Sequence, residues 1–328
     1  MKRILLCFCL LFIITGCSKD TSVNIIKKFS NKVNSCNSYY LSGDLELRNN
    51  DEVYNYEVEV SYEKDSKYKV LLKNKANKAT QIILKNSDGV YILTPSLNRS
   101  FKFQSDWPYN NSQIYLLKAL IDDIKNSFIK FNEKSNYYVI ETKVNYPNNT
   151  NLVKQKIYID KKILLKKVEV YDSDDIESMK LEVKKLDYSP SFKDDYFDLN
   201  TIMSSSEKNN NEEVSSIEEA IYPLLIPTGT SLSNEERIKK TKGERVLMTF
   251  DGDKPFLLVE ETVDINDELT IIPTNGEPYQ LMDTLGVMTN NSLSWVSNGI
   301  EYYLVSDVLS ISELTQIAQS IYVLPTMK

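Results

Sequence analysis

Apolar residues at Val23, Ile26, Phe29 and Val33 recur every three or four positions, and this spacing predicts a short amphipathic helix over 23–33. The period then falls to two. In VYNYEVEVSYEKDSKYKVLLKN, Tyr54, Tyr56, Val58, Val60 and Tyr62 point one way and Glu57, Glu59 and Ser61 the other, which describes long antiparallel strands with one wet face. TQIILKNSDGVYILTPSLNRSFKFQ continues the meander, with Ser87-Asp88-Gly89 as a hairpin turn and Thr94-Pro95 closing the next strand. The helical period returns once, in Ile114, Leu117, Leu120, Ile121, Ile124 and Phe128. NYYVIETKV, KQKIYIDKKILLKKVEVYD and SMKLEVKKLDYSP resume the strands. One sheet interrupted by one helix is the expectation, and its apolar face needs helices to cover it.

Ser204–Ser216, SSSEKNNNEEVSS, has one Val and no periodicity, so it reads as a linker. Beyond it, Ser216-Ile-Glu-Glu219 and Ser233-Asn-Glu-Glu236 fit the capping-box pattern, so each is expected to open a short helix. Strands follow at RVLMTF, FLLVEET, ELTIIP, LSWVS and IEYYLVSD. The chain closes on LSISELTQIAQSI, where Ser310 and Glu313 form a capping box, Leu309 and Leu314 a hydrophobic staple, and Leu314, Ile317, Ala318 and Ile321 a buried stripe.

The N-terminus alters how the rest is read. Lys2 and Arg3 precede an apolar run from Ile4 to Ile14, too short to span a bilayer and typical of a signal peptide. Thr15-Gly16-Cys17 resembles the lipobox of bacterial lipoproteins, in which the Cys after the small residues is diacylated and becomes the first residue. Two or three acyl chains, at about 0.8 kcal/mol per buried CH2, anchor a protein stably, so Cys17 is assigned to lipid attachment. Cys7 and Cys9 leave with the signal peptide, and Cys36 remains without a partner for a disulfide.

The mature chain carries 37 Lys and Arg against 46 Asp and Glu, a formal charge of −9. Such a chain, with no dense basic block, is a poor ligand for nucleic acid, and any attachment to an anionic surface falls to the lipid. There is no histidine, which removes Ser-His-Asp and Cys-His nucleophile pairs and His-containing zinc sites. DSDD at 172–175 and FDGDK at 250–254 suggest calcium, but neither completes an EF-hand loop and both suit hairpin turns. No metal, cofactor or catalytic residue is assigned.

The lipobox, the alternating sheet, QIILKNSDGVYILTPSLNRSFKF and SDWPYNNSQIYLLKALIDDI together resemble the LolA-type lipoprotein-carrier superfamily, in particular its branch of sporulation and germination lipoproteins. The resemblance runs from Ile25 to Leu199 and rests on Ser87-Asp88-Gly89, the Tyr91–Pro95 strand end, Trp107-Pro108 and the helix after Gln113. LSWVSNGIEYYLVSDVLSISELTQIAQSI resembles a C-terminal domain of unknown function of bacterial envelope proteins, over 217–325. These resemblances imply an α+β fold: an N-terminal curved antiparallel sheet, an incomplete barrel closed by helices, plus a smaller C-terminal α+β domain. The organisation expected is signal peptide 1–16, lipidated tether 17–24, half-barrel domain 25–203, linker 204–216 and second domain 217–328. They imply an extracytoplasmic, membrane-anchored, non-enzymatic interaction module with a protein partner in the envelope, in the germination branch a peptidoglycan hydrolase of the spore cortex. The alternative is a binder or carrier of acyl chains in a hydrophobic hollow. A classical carrier shuttles in solution, which a lipid anchor opposes. Trp107, Tyr91 and Tyr115 are the candidate binding residues, each of which also suits ordinary packing.

Overall fold

The computed structural model describes residues 19–49, 52–105, 107–108, 112–146, 149–205, 217–264 and 268–321. The signal-peptide and Cys17 assignments and linker residues 206–216 lie outside the described residues.

Helix α1 (Lys19–Ser35) reaches back into the segment read as tether. It leads into β1 (Ser38–Asn49), β2 (Glu52–Glu63), β3 (Lys67–Asn74), β4 (Thr80–Asn86), β5 (Gly89–Thr94) and β6 (Arg99–Phe103), each paired antiparallel to the next. Alternation was the correct signal over most of β2: Tyr56, Val58, Val60 and Tyr62 are buried while Glu57 and Glu59 are exposed, but Ser61, expected on the wet face, is buried where its hydroxyl meets that of Tyr196 at 2.9 Å. Asn86 faces Gly89 across the expected turn. Helix α2 (Leu117–Ser127) starts three residues later than the apolar stripe suggested. It carries the chain over the sheet to β7 (Phe128–Glu133), β8 (Tyr137–Lys143), β9 (Leu152–Asp160), β10 (Leu165–Asp172) and β11 (Glu177–Asp187), and β11 returns to pair with β1.

The sheet therefore has β1 near its middle, and its ends do not meet. Ile92 of β5 and Ile140 of β8 nevertheless share one core with Phe29 and Val33 of α1 and Leu117, Leu120, Ile121 and Ile124 of α2. Strands eight places apart in the sheet can reach one core only if the sheet curves around the helices. The result is an open, curved antiparallel sheet with helices on its concave side. On the opposite face, helix α3 (Leu199–Ser205), which periodicity did not reveal, sets Leu199, Ile202 and Met203 against Ile82, Leu84, Tyr91 and Leu93. Its first turn is capped by Asp198, whose Oδ1 accepts from the Thr201 N–H at 2.7 Å. The segment read as linker thus begins inside a helix.

The second sheet runs β12 (Thr230–Lys239), β13 (Glu244–Gly252), β14 (Phe256–Thr262), β19 (Ile300–Val305), β18 (Ser292–Ser297), β17 (Leu285–Met288) and β16 (Glu277–Gln280). Helix α4 (Ile311–Gln319) packs on it with the expected capping box at Ser310 and Glu313. The other two helix expectations fail. Ser233–Glu236 lies within β12, because pairing with β13 from Thr230↔Gly252 to Lys239↔Glu244 outweighs a four-residue local motif. Gly252 ends the second strand of that hairpin, opposite Thr230: a Cβ there would sit 2.0 Å from the Gly229 carbonyl oxygen, so only glycine permits the approach. Residues 217–226 form an irregular strap rather than a helix.

The two sheets are tied together. β15 (Thr270–Thr274) leaves the second sheet to pair in parallel with β6 at the edge of the first. Leu285 and Val287 of β17 belong to the core of the first sheet. Arg99 grips Glu301 bidentately at 2.8 and 3.0 Å. Gln81 accepts from the Leu285 N–H at 2.6 Å and the Thr284 hydroxyl at 3.0 Å, and the Tyr56 hydroxyl donates to the Met282 carbonyl at 2.7 Å. No helix among the described residues is long and apolar enough to cross a membrane.

Candidate functional site

Where the two sheets meet they leave a cleft of about 1600 Å³. Its floor comes from the first sheet and the loops beside α2, and includes Leu47, Ile83, Trp107, Tyr115 and Tyr146. Trp107 is buried edge-on to Tyr68, ring centroids 5.9 Å apart. Lys85 donates to its carbonyl at 2.6 Å, and the Ser105 hydroxyl accepts from its N–H at 2.9 Å. Ser105 also hydrogen-bonds Glu277, so the tryptophan loop is pinned to the second sheet.

Tyr115 and Tyr146 are held by a polar knot beneath them. Ser112 and Asn145 exchange bonds of 2.8 Å, and Asp123 accepts from the Ser112 hydroxyl at 2.9 Å and the Gln155 amide at 2.7 Å. Burial outweighs these donors and pushes the Asp123 carboxyl up to about 6. Burial likewise holds the Tyr115 hydroxyl above its ordinary range, so it sits in the floor as a neutral phenol. The Ser112–Asp123 pair, half-buried under the floor, does not line the cleft. Among the described residues no three His, Cys, Asp or Glu side chains converge as a metal ion requires.

The facing wall is Pro278, Tyr279, Gln280 and Met282, with Thr315, Gln316 and Gln319 of α4. The mouth is built from the strap and two hairpin ends. Ile221 is hung from the buried Glu260 carboxylate at 3.0 and 3.2 Å, and Leu224 and Leu225 from Ser320 at 3.2 and 3.0 Å. This fastening leaves Leu224 78% and Leu225 43% exposed at the rim. Ile176, 61% exposed, joins them from the β10–β11 turn, where the Asp172 carboxylate accepts from the Asp174 and Ile176 N–H groups. DSDD is thus a turn in the structure. Arg48 at the rim is engaged by Glu46 at 2.8 Å and Glu177 at 3.5 Å, beside Glu52 and Asp172.

Of the three candidate binding residues, Trp107 and Tyr115 come together in the cleft. Tyr91 does not: it lies on the other face of the sheet, packed under α3. Cys36 is structural in its surroundings, its thiol donating to the Val33 carbonyl at 3.0 Å and raised in pKa by burial. The rim residues Ile176, Leu224 and Leu225 escaped sequence reading. The signal for Leu224 and Leu225 was the run Tyr222-Pro-Leu-Leu-Ile-Pro227, apolar yet bracketed by prolines that forbid a buried helix or central strand.

An open curved antiparallel sheet backed by helices, joined to a second sheet with its own helix, defines a protein of α+β class. The chain belongs to the YdcC-like sporulation protein family, whose profile matches residues 1–197. The sporulation protein YdcC of Bacillus subtilis (strain 168) is 35% identical over 312 residues, covering 94% of this chain and 92% of the relative. Among solved structures, the LolA superfamily protein NE2245 of Nitrosomonas europaea aligns at TM-score 0.32 and 9% identity, over 55% of this chain and 98% of its own. A chain of the complex of the CwlD amidase of Clostridioides difficile with the GerS lipoprotein aligns at TM-score 0.20 and 16% identity, over 55% and 96%.

Proposed function

We propose that this sporulation protein is an extracytoplasmic lipoprotein, held to the membrane by lipid on Cys17, and that it acts without catalysis by binding a partner protein in the envelope. The observation that carries this reading is the filled concavity. Phe29, Val33, Leu117, Leu120, Ile121 and Ile124 occupy the concave side of the sheet, where a carrier of acyl chains needs an apolar hollow. The remaining cleft mixes amides, hydroxyls and charges with its apolar floor, a lining suited to protein rather than to hydrocarbon. The absence of histidine supports a non-enzymatic role. Among envelope partners, a peptidoglycan hydrolase of the spore cortex is the finer proposal, taken from the sporulation family and the lipoprotein branch that the sequence resembles.

The test is an affinity capture from sporulating cells with the mature chain as bait, read by mass spectrometry and repeated with the purified protein captured. The expected result is one envelope protein that binds directly and stoichiometrically. Extraction of a palmitate label with the native chain, combined with failure to retain any protein above a bait-free control, would favour the acyl-chain alternative.

A further inference from the structure

We propose that the inter-sheet cleft takes an extended, cationic-apolar peptide segment of the partner, added as a strand to the free edge of β16. The proposal rests on the protein-binding reading above and names the recognition element. Among the described residues, β16 is the last strand of the second sheet and pairs only with β17. The Leu281 N–H bonds the Thr284 carbonyl, and the same register places Tyr279 opposite Gly286 and Glu277 opposite Met288. Hydrogen-bonded pairs alternate along an antiparallel ladder, so Tyr279 and Glu277 direct their backbone groups at β17. Gln280 directs its N–H and carbonyl outward, and Pro278, which has no N–H, its carbonyl alone.

Gln280 itself lines the cleft, its side-chain amide held by the Leu281 and Thr284 carbonyls. Alternate side chains of an added strand would face the apolar rim at Leu224, Leu225 and Ile176. The volume exceeds what a small metabolite fills.

Charge selects the segment. Arg48 is neutralised by Glu46 and Glu177, which leaves Glu52 and Asp172 to set the sign of the rim. A peptide carrying Lys or Arg between apolar residues is complementary, and an acidic one is repelled.

The probe is a fluorescein-labelled ten-residue peptide of alternating Leu and Lys, compared with one of alternating Leu and Glu, titrated into the whole mature chain with Cys17→Ser. The Lys peptide should bind at least tenfold more tightly in 50 mM salt, and slow amide exchange at Gln280. The double variant Leu224→Lys, Ile176→Lys, altered only at exposed positions, should lose at least tenfold, whereas Val308→Lys, also exposed, should not. Equal binding of the two peptides, or undiminished binding to the double variant, would overturn the proposal. The affinity capture separates the two readings. A partner held equally by wild type and double variant sinks the cleft and spares the interaction role; no partner for wild type sinks the role, and the titration still judges the cleft.

Discussion

Glu260→Gln should stabilise the protein at pH 8 and flatten its dependence on pH. Glu260 lies in the middle of β14, fully buried between Val246 of β13 and Tyr302 of β19, and its carboxylate accepts two bonds from the single N–H of Ile221. Burial pushes the carboxyl up to about 7; the Ile221 N–H and the charge of Arg237 pull it down, and Glu235 adds to the rise. A group that titrates near 7 when folded and near 4.5 when unfolded binds its proton more tightly in the native state. Between those values the native state holds more protons, so stability falls as pH rises through the window. The ionised group costs about 3 kcal/mol above pH 7, and nothing below pH 4.5.

The Gln variant keeps an oxygen for the Ile221 N–H and removes the buried charge. Urea unfolding followed by tryptophan fluorescence at pH 4.5 to 8 should give a gain of about 2–3 kcal/mol at pH 8, shrinking towards zero at pH 4.5. Some slope should survive at lower pH, because Asp123 titrates near 6 with the same sign. A variant less stable than wild type at pH 8, or one keeping the wild-type slope between pH 6 and 8, would refute the assignment of a carboxylate whose burial outweighs the pull of Arg237.

Four further outcomes are expected. Ser310→Ala removes the acceptor for the Glu313 N–H and should cost about 1 kcal/mol, measured by thermal unfolding. Arg99→Met leaves half-buried Glu301 without its bidentate partner and should cost about 1–3 kcal/mol, with Trp107 and Trp295 no longer reporting coincident transitions. Cys36 should react with a thiol reagent at pH 8 at least tenfold faster in urea than when folded, since burial raises its pKa. Cys17→Ala should abolish palmitate incorporation and detergent partitioning; equal labelling of wild type and variant would remove the anchor.

Features set by neighbouring residues were legible in the sequence, and those set by distant partners were not. The alternation over most of β2 and the capping box of α4 are local, and both appear in the structure as expected. The same box at Ser233 is equally good locally but yields to a hairpin whose second strand ends at Gly252. TIIP is recognisable as a strand, yet nothing near it specifies β6, about 170 residues earlier, as its partner.

The cleft follows the same division. Trp107 and Tyr115 stood out as aromatic residues beside a helix, but their facing wall comes from β16 and α4, so no stretch of sequence contains the site. Its shape depends on the contacts that join the sheets: Gln81 on Leu285, Tyr56 on Met282 and Ser105 on Glu277 fix the wall against the floor. Leu285 and Val287 bury their side chains in the first core, so separating the sheets exposes apolar surface and costs free energy in proportion to it. That penalty holds the cleft in one arrangement. A binding surface that is already ordered, as the proposed site would be, loses less conformational entropy on association than one assembled from a mobile tail.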